Sequence, residues 1–490
     1  MADGVALVSF ATAAGTALAV AGLDALLRFG PSTLPRIEAV DAGWSAAAFS
    51  VAPALACALF FAIVSWLACG RSRTGGLRQA RGATAGRAQL RARHLLVAFQ
   101  FAMAVVLLVG AGLIVRSFLR LSRVDLGFQD RGVLTFRVVF PFQEIQEAGP
   151  RGNGPATPFY DQLAERLAGL SGVEAVGYGG CVPLSDACSV GGFSLRPQDH
   201  LDEGGSLPAT LALRVSPGYL PALEVPLLKG RYLDPHDHQQ RTHAVVISAV
   251  AARRFFPGED PLGQRLVQDG ARWTPFTVVG VVGDVKHEDP RNATTPFVYL
   301  PVLGDFAQYE PWAVSYVVRT GGSPLALVEA IRREMEALRP DIPLAYVDTL
   351  SGLVARSTAQ LRLALWLLAV AAAAALTLSA IGAYSVMAYA VALRRNELAI
   401  RLALGADGQK VRSMVLRQGA CAAAAGLLVG VAGAAMAGRL LRSLLFEIAP
   451  SDPITYVAVL CGLVLTAVAA VYIPARRASR LDPAQVLRAE

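Results

Sequence analysis

The sequence predicts a membrane α-helical bundle of six transmembrane helices that carries one extracytoplasmic mixed α/β domain. Of its 490 residues, 54% are apolar and 17% are charged, whereas ordinary soluble domains contain about 25% charged residues. Six runs with few or no charges are long enough to cross a bilayer, which takes about 20 residues. They are Gly4–Leu23, Ala42–Cys69, Leu95–Val115, Leu363–Leu393, Gly419–Gly438 and Pro453–Ala475.

The distribution of arginine predicts the orientation of these spans. Residues 70–94 carry seven arginines and no acid, and residues 393–418 and the C-terminal tail are also basic. The spans alternate so that these three segments lie on one side, which the positive-inside rule makes the cytoplasm. The long segment 120–358, with 22 basic and 27 acidic residues, then lies on the opposite, extracytoplasmic side of the membrane. The net charge of +8 therefore reflects topology and gives little support to nucleic-acid binding.

The extracytoplasmic segment alternates short apolar runs with two amphipathic helices, over Pro158–Leu170 and Leu325–Leu338. In the first helix, Phe159, Leu163 and Leu167 lie on one face. The order strand–helix–strand occurs twice, and it predicts a split βαβ arrangement with an inserted β-rich part. The predicted strands are Val133–Phe140, Val173–Tyr178, Leu211–Val215, Ala244–Ile247, Phe276–Val282, Val298–Leu300, Val314–Arg319 and Leu344–Val347.

Two groups of side chains in this segment are candidate sites. Cys181 and Cys188 can form a disulfide in an oxidising compartment or remain free thiols, because their spacing does not reveal their geometry. His236, His238 and His243 lie near two aspartates, but their spacing is loose for a metal site and suits a solvated loop. We therefore expect no metal site on this chain.

Motifs that would indicate an enzyme are absent from the sequence. It contains no G-x-x-x-x-G-K-[ST] phosphate-binding loop, no Gly-x-Ser-x-Gly, no His-Glu-x-x-His and no Cys-x-x-Cys. We therefore expect no catalytic residue and no cofactor-binding residue on this chain. Gly426 and Gly430 lie four residues apart in the fifth span, and this spacing predicts close packing against a neighbouring helix.

A short cytoplasmic segment joins the fourth and fifth spans, with the sequence ALRRNELAIRLALGADGQKVRSMVLRQG (392–419). It predicts a helix that ends at Gly405, where glycine can adopt a positive φ, and a second helix that Asp407 caps. Glu397 and Arg401 form an i,i+4 pair beside an apolar patch. Composition alone favours neither of two interpretations, a plain interfacial hairpin or a surface helix that docks in a groove of a cytoplasmic partner.

Within this segment, RRNELAIRLALGA (394–406) resembles the signature of FtsX-like permeases of the MacB class of ABC transporters. The resemblance implies that a cytoplasmic ABC ATPase docks on a coupling segment at 393–413. The residues implied to make this contact are Arg394, Glu397, Ile400, Arg401, Leu404 and Gly405. Further stretches similar to the family are AFQFAMAVVLLVGAGLIVRSFLRLSRVDLGF (98–128), FFPGEDPLGQRL (255–266), TVVGVVGDVKH (277–287) and residues 444–490.

The first 90 and last 75 residues share one arrangement. In each, two spans flank a short outer loop, and a basic segment follows the second span. A true repeat and a chance likeness of two hydrophobic hairpins both remain open. The order of the domains is most similar to that of duplicated orphan permeases, in which two MacB-like units are fused. The resemblance implies that this chain contains the end of a first unit, followed by a complete second unit. The predicted domains are a transmembrane hairpin with a basic linker at 1–92, a transmembrane helix at 93–119, a periplasmic MacB-like core domain at 120–358, and an FtsX-like three-helix domain at 359–490.

The resemblance implies a permease subunit of a mechanotransmission-type ABC transporter in the bacterial inner membrane. Two permeases would form a dimer, ATP would bind to the separate ATPase subunit, and motion would reach the periplasmic domain for efflux or extrusion. Two alternatives stay open. One is an FtsX-like regulatory permease that acts on a periplasmic partner without transport, and the other is an inactive permease fragment.

Overall fold

The computed structural model describes residue 15 and residues 83–148, 154–185, 195–197, 210–239, 242–268, 275–302, 311–393 and 408–478. The chain divides into two compact units. Met1–Arg120 and Ala359–Glu490 form the first, called here the membrane unit because it contains the long helices. Leu121–Thr358 form the second, called here the core unit because it contains the sheet.

Helices and strands are numbered in chain order within the described residues. The helices are α1 (Ala83–Leu121), α2 (Phe142–Ala148), α3 (Ala156–Ala168), α4 (Tyr219–Ala222), α5 (Pro235–Gln239), α6 (Ala249–Phe255), α7 (Val328–Leu338), α8 (Leu350–Ser357), α9 (Ala359–Leu393), α10 (Gly408–Leu440) and α11 (Pro453–Ala478). The strands are β1 (Val133–Val139), β2 (Val173–Gly179), β3 (Leu195–Pro197), β4 (Leu211–Val215), β5 (Leu227–Gly230), β6 (Ala244–Ser248), β7 (Arg265–Gln268), β8 (Phe276–Val282), β9 (Phe297–Pro301), β10 (Ala313–Thr320) and β11 (Ala345–Thr349). Two 3₁₀ helices, Pro324–Leu327 and Leu441–Leu444, precede α7 and follow α10.

Four strands of the core unit form the predicted split βαβ arrangement. Their order is β11-β1-β10-β2, and β10 lies antiparallel between β1 and β2. Because α3 connects β1 to β2 and α7 connects β10 to β11, each strand–helix–strand unit encloses a strand of the other. The α3 side chains Phe159, Leu163 and Leu167 are buried, as their spacing predicts, in one cluster with Ile331 and Met335 of α7.

The other strands belong to an insertion between β2 and β10. They extend the same sheet in the order β4-β9-β6-β8-β7-β3, and β5 pairs with β8. The β4–β9 and β6–β8 pairs are parallel, so the sheet is mixed. Every residue of β6 and β9 is buried, which explains why their sequences, AVVIS and FVYLP, are almost uninterrupted apolar runs.

All eight predicted strands are present, and their ends differ by at most a few residues. The sequence did not predict β3, β5 and β7, because they are only three or four residues long and lack a clear apolar alternation. All four residues of β5 are exposed. The second predicted helix, Leu325–Leu338, begins as a 3₁₀ turn and becomes α-helical at Val328.

Within the described residues, four helical segments of the chain are long and apolar enough to cross a membrane. They correspond to the last four predicted spans. Apart from residue 15, the first two predicted spans, Gly4–Leu23 and Ala42–Cys69, lie outside the described residues, so the count of six stays a prediction. The four candidate spans are Leu95–Leu121, Leu361–Ala392, Ala420–Leu440 and Pro453–Arg476.

A buried guanidinium joins β10 to the loop before β1 and to the end of α4 in the core unit. Arg319 is only 8% exposed, and its Nε donates to the carbonyl of Ala222 at 2.8 Å. Its two terminal nitrogens donate to the carbonyls of Arg131 and Gln129, each at 3.2 Å. Glu224 provides an opposite charge 3.4 Å away. Because a buried charge without partners is unfavourable, the guanidinium and these carbonyls stabilise each other.

We expect Arg319→Met to destabilise the core unit by about 2–3 kcal/mol, because buried carbonyls lose their donor. In the full-length protein, this loss should accelerate amide hydrogen exchange in β1 and β10, measured by mass spectrometry. Arg332→Met, at an exposed position of α7, is the control and should leave the exchange unchanged. Identical exchange in Arg319→Met and wild type would contradict the stabilising role.

A buried histidine makes the stability of the core unit depend on pH. His287 stacks on Phe297 with ring centroids 4.0 Å apart, and its Nε2 lies 3.0 Å from the Tyr299 hydroxyl. Burial lowers the pKa of His287 from 6.5 to about 3. Between these values the unfolded chain binds one proton more than the folded chain, so stability falls as the pH decreases below about 6.5.

We expect His287→Phe to reduce the stability difference between pH 6.5 and pH 5 by about 2 kcal/mol, because the substitution removes this proton uptake. The measurement is hydrogen exchange in β9 of the full-length protein at the two pH values. His236→Phe is the matched control, because His236 is exposed on α5. An unchanged pH dependence in His287→Phe would show that other groups cause it.

Candidate functional site

The six predicted contact residues of the coupling segment lie outside the described residues. They fall within 394–407, between the end of α9 at Leu393 and the start of α10 at Gly408. Their role in docking an ATPase therefore stays a prediction. They are Arg394, Glu397, Ile400, Arg401, Leu404 and Gly405.

Cys181 follows β2 in the core unit and is buried. Its sulfur is disulfide-bonded, and its carbonyl accepts a hydrogen bond from the Tyr219 hydroxyl at 2.7 Å. Cys188 lies outside the described residues, so the pairing of these two cysteines stays a prediction. Among the cysteines that the structure describes, Cys421 of α10 and Cys461 of α11 are exposed free thiols.

The structure separates the three histidines that the sequence groups together. His236 is exposed, and the ring of His243 lies 5.7 Å from that of Phe276. His238 is buried, so the expectation of a solvated loop is wrong at this position. The reason is that α5 directs its ring onto Asp161 of α3, whose two carboxylate oxygens each lie 3.1 Å from Nε2. In the described part of the chain, no three or more His, Cys, Asp or Glu side chains are grouped as metal ligands.

His238, Asp161 and Tyr178 form a polar cluster that joins the insertion to the split βαβ part. The Tyr178 hydroxyl donates to Asp161 at 2.5 Å. Burial, reinforced by the negative charge of Asp161, raises the pKa of Tyr178 well above its ordinary value, so this tyrosine remains a donor. No sequence pattern indicates this cluster, because His238 and Asp161 are 77 residues apart.

In the membrane unit, α10 packs closely on α1 through Gly426 and Gly430. A Cβ at Gly426 would lie 2.4 Å from the carbonyl oxygen of Ala98, and a Cβ at Gly430 would lie 2.7 Å from the Cβ of Val105. These separations are too short for a side chain, so only glycine permits this approach. The four-residue spacing therefore serves helix packing within one copy of the chain.

The other membrane helices also contact α1. Ser379 of α9 donates to the carbonyl of Gln100 at 3.2 Å. On the C-terminal half of α1, Gly112 faces Thr455 of α11, and a Cβ at this glycine would lie 2.7 Å from the Thr455 methyl. Contacts with α1 thus connect α9, α10 and α11 into one packed core.

An ion pair connects the C-terminal end of α1 to the start of α11. Arg116 donates to the carboxylate of Asp452. The same carboxylate accepts from the backbone nitrogen of Thr455 at 2.9 Å and from its hydroxyl at 2.6 Å, so Asp452 caps α11. Sequence patterns did not predict this pair, whose members are 336 residues apart. The available signal was an acid directly before the proline that begins the last span.

The loop before α11 is held to α1 by two more hydrogen bonds. The hydroxyl of Ser117 accepts from the backbone nitrogen of Phe446 at 2.8 Å, and Arg120 donates to the carbonyl of Glu447. Together with the ion pair, these bonds fix the loop from Phe446 to Asp452 against α1.

The buried polar residues of the described membrane unit are Ser117, Ser379 and Thr455. Each forms a hydrogen bond with the protein itself. Most other contacts between the described helices are between small and apolar side chains.

Comparison with curated proteins finds relatives that match a little over half of the chain. The macrolide export ATP-binding/permease protein MacB of Rhodospirillum rubrum is 28% identical over 291 residues, which are 56% of this chain and 42% of that protein. The pyoverdine export ATP-binding/permease protein PvdT of Pseudomonas putida is 26% identical over 273 residues, which are 54% and 41%. The chain thus spans about two fifths of the length of these relatives.

Among solved structures, the periplasmic region of MacB from Actinobacillus actinomycetemcomitans aligns with 15% identity and a TM-score of 0.32. The alignment covers 48% of this chain and 96% of that chain.

We expect Gly430→Val to destabilise the membrane unit by about 1–3 kcal/mol, because the new side chain would overlap Val105 and Ala102. The measurement is the thermal midpoint at which detergent-solubilised protein loses its monodisperse peak in size-exclusion chromatography. Gly462→Val on α11 is the matched control, since nothing lies within 4 Å of a Cβ at that position. An equal loss in both variants would argue against the specific contact with α1.

Two family models match the chain in the order of its parts. The MacB-like periplasmic core domain matches residues 101–338, and the FtsX-like permease C-terminal domain matches residues 369–483. The first match contains the whole insertion, and the second contains α10, α11 and most of α9. With the mixed core sheet and four candidate spans, these matches identify the chain as a member of the MacB/FtsX-type family of ABC transporter permeases.

Proposed function

We propose that this chain is the permease subunit of a mechanotransmission-type ABC transporter, which uses motion of the core unit for efflux or extrusion. The observation that carries the proposal is the position of the core unit in the chain. Leu121–Thr358 are inserted between the first and second described spans, so α1 and α9 are each covalently continuous with the core unit. Any movement of one of these helices relative to the other is therefore transmitted to the two ends of the core unit.

The two ends of the core unit belong to one rigid part of the sheet. The first strand, β1, pairs with the last strand, β11, and with the central strand β10. A displacement applied at either end therefore acts on neighbouring strands and is carried by the whole split βαβ part. This pairing supports a core unit that responds to the helices as a body.

The length of α9 supports its role in carrying motion beyond the bilayer. The helix has 35 residues, which corresponds to about 50 Å at 1.5 Å per residue. The hydrocarbon core of a bilayer is only about 30 Å thick. Several turns of α9 would therefore extend past the lipid, as a stalk requires.

We assign ATP binding and hydrolysis to a separate cytoplasmic ATPase that docks on the coupling segment. This sequence contains no phosphate-binding loop, whereas the curated relatives are named as ATP-binding/permease proteins. The segment joins α9 to α10, so a docked ATPase would act on both helices at once. The proposal includes a dimer of permeases in a bacterial inner membrane, with the core unit in the periplasm and no cofactor bound to this chain.

We expect Glu397→Lys to reduce copurification of an ABC ATPase with the tagged full-length protein at least tenfold, because it reverses the charge at one of the predicted contact residues. The measurement is quantitative mass spectrometry of the purified complex. Glu336→Lys, which makes the same charge change at an exposed position of the core unit, is the control. If every copurifying ABC ATPase is retained by Glu397→Lys, docking at this segment is refuted.

Deletion of the gene separates export from a purely regulatory role. For an exporter, deletion should raise the cellular accumulation of the exported compound, and the names of the relatives make macrolides and pyoverdine the first compounds to test. Unchanged accumulation of all tested compounds, together with capture of a cell-wall hydrolase by the core unit, would favour the regulatory alternative.

A further inference from the structure

An open cavity of about 580 Å³ lies in the membrane unit, where α10 ends and α11 begins. Its helical wall includes Ala435, Arg439 and Arg442, and its opposite wall includes Ile448 and Pro450. The first three residues are spaced by four and three positions, so they share one face of α10 and its 3₁₀ extension. Both arginines therefore face the same space at the end of a candidate span.

The walls of this cavity are fixed by the fold. Ile448 is buried in the packed core of the membrane unit, and a Cβ at Gly438 would lie 3.2 Å from the carbonyl oxygen of Pro450. The loop is also bonded to α1, because Phe446 donates to Ser117. The cavity is thus a preformed concavity rather than a gap between loose segments.

The charges of the cavity suit a monoanion with several acceptor oxygens. Arg439 and Arg442 are exposed, and neither guanidinium forms an ion pair with another residue that the structure describes. Glu447 also lines the cavity, so its three charged side chains sum to +1. Guanidinium groups bind phosphate oxygens in paired hydrogen bonds, and a phosphodiester carries one negative charge.

An apolar stripe runs along α10 towards the cavity. Val429, Met436 and Leu440 are spaced by seven and four residues, so they share a face, and they are 66%, 70% and 83% exposed. Within a candidate span, such a stripe faces acyl chains. The stripe ends beside Arg439, so an apolar surface adjoins a cationic one. A lipid, whose apolar chain adjoins an anionic headgroup, matches both surfaces. This continuity favours a lipid over a free anion.

We propose that this cavity binds a monoanionic phospholipid, with its phosphodiester between Arg439 and Arg442 and an acyl chain along Val429, Met436 and Leu440. This site goes beyond the proposed coupling to an ATPase and does not depend on it. The loop that lines the cavity ends at Asp452, which pairs with Arg116. A bound lipid therefore braces the contact of α1, α10 and α11.

The test uses the full-length protein reconstituted in phosphatidylcholine vesicles that contain phosphatidylglycerol with a photoreactive acyl chain. Mass spectrometry should find cross-links on the peptide around Met436 and Leu440, and photoreactive phosphatidylcholine should give fewer. Arg439→Gln and Arg442→Gln should each lower the phosphatidylglycerol cross-linking about fivefold. Arg439→Lys retains the charge and should keep most of the signal. Arg417→Gln, at an exposed position near the other end of α10, is the matched control and should leave it unchanged.

Three results would overturn the proposal. The first is equal cross-linking of phosphatidylglycerol and phosphatidylcholine at this peptide in the wild type. The second is an equal loss in Arg417→Gln and Arg439→Gln, which would show a general charge effect. The third is loss of the phosphatidylglycerol cross-link when inorganic phosphate is added, but not when chloride is added at the same ionic strength. This loss would identify a site for free anions. Size-exclusion chromatography verifies that the variants, all at exposed positions, remain folded.

Discussion

The close approach of α1 and α10 at Gly426 and Gly430 is the contact on which the described membrane unit depends. In lipid, two helices gain no hydrophobic free energy by associating, so their stability rests on dispersion contacts and hydrogen bonds between them. Glycine maximises the dispersion contacts because it lets the two helix backbones touch, as Gly426 does at Ala98. The ion pair of Arg116 with Asp452 provides the second at the end of the same helix. Close backbone packing along its length and an ion pair near its C-terminal end therefore both hold α1 in place.

The core unit is held together by a different balance of forces. Its sheet buries long apolar strands, and two polar connections then join parts that are distant in sequence. Arg319 connects β10 to the loop at Gln129 and to the end of α4 at Ala222, and His238 connects the insertion to Asp161. Burial makes each of these groups dependent on its partners. The hydrophobic sheet thus provides most of the stability, while the polar connections restrict how its parts fit together.

Local patterns predicted most of the fold, and the long-range pairs remained beyond them. The spacing of Phe159, Leu163 and Leu167 was enough to identify the buried face of α3, and charge-free runs identified the four described spans. The partner of Arg116 lies 336 residues away, so no periodicity could indicate it. For the same reason His238 was expected in solvent, although Asp161 holds it in the interior. Of the predicted site, the structure describes the two packing glycines and Cys181, but not the coupling residues.

The insertion of the core unit leaves the split βαβ part after β2 and returns at β10, and these two strands are direct neighbours, with Gly179 opposite Ser315. The insertion therefore begins and ends on paired strands, in which opposite residues are about 5 Å apart. A segment with such close ends can gain, lose or exchange residues without changing the distance between the strands that hold it. The loops of residues 180–312 can thus vary, whereas contacts with Arg319 and Asp161 tie the insertion to the split βαβ part. Loops within this insertion can therefore change in length and sequence while β2 and β10 keep their pairing.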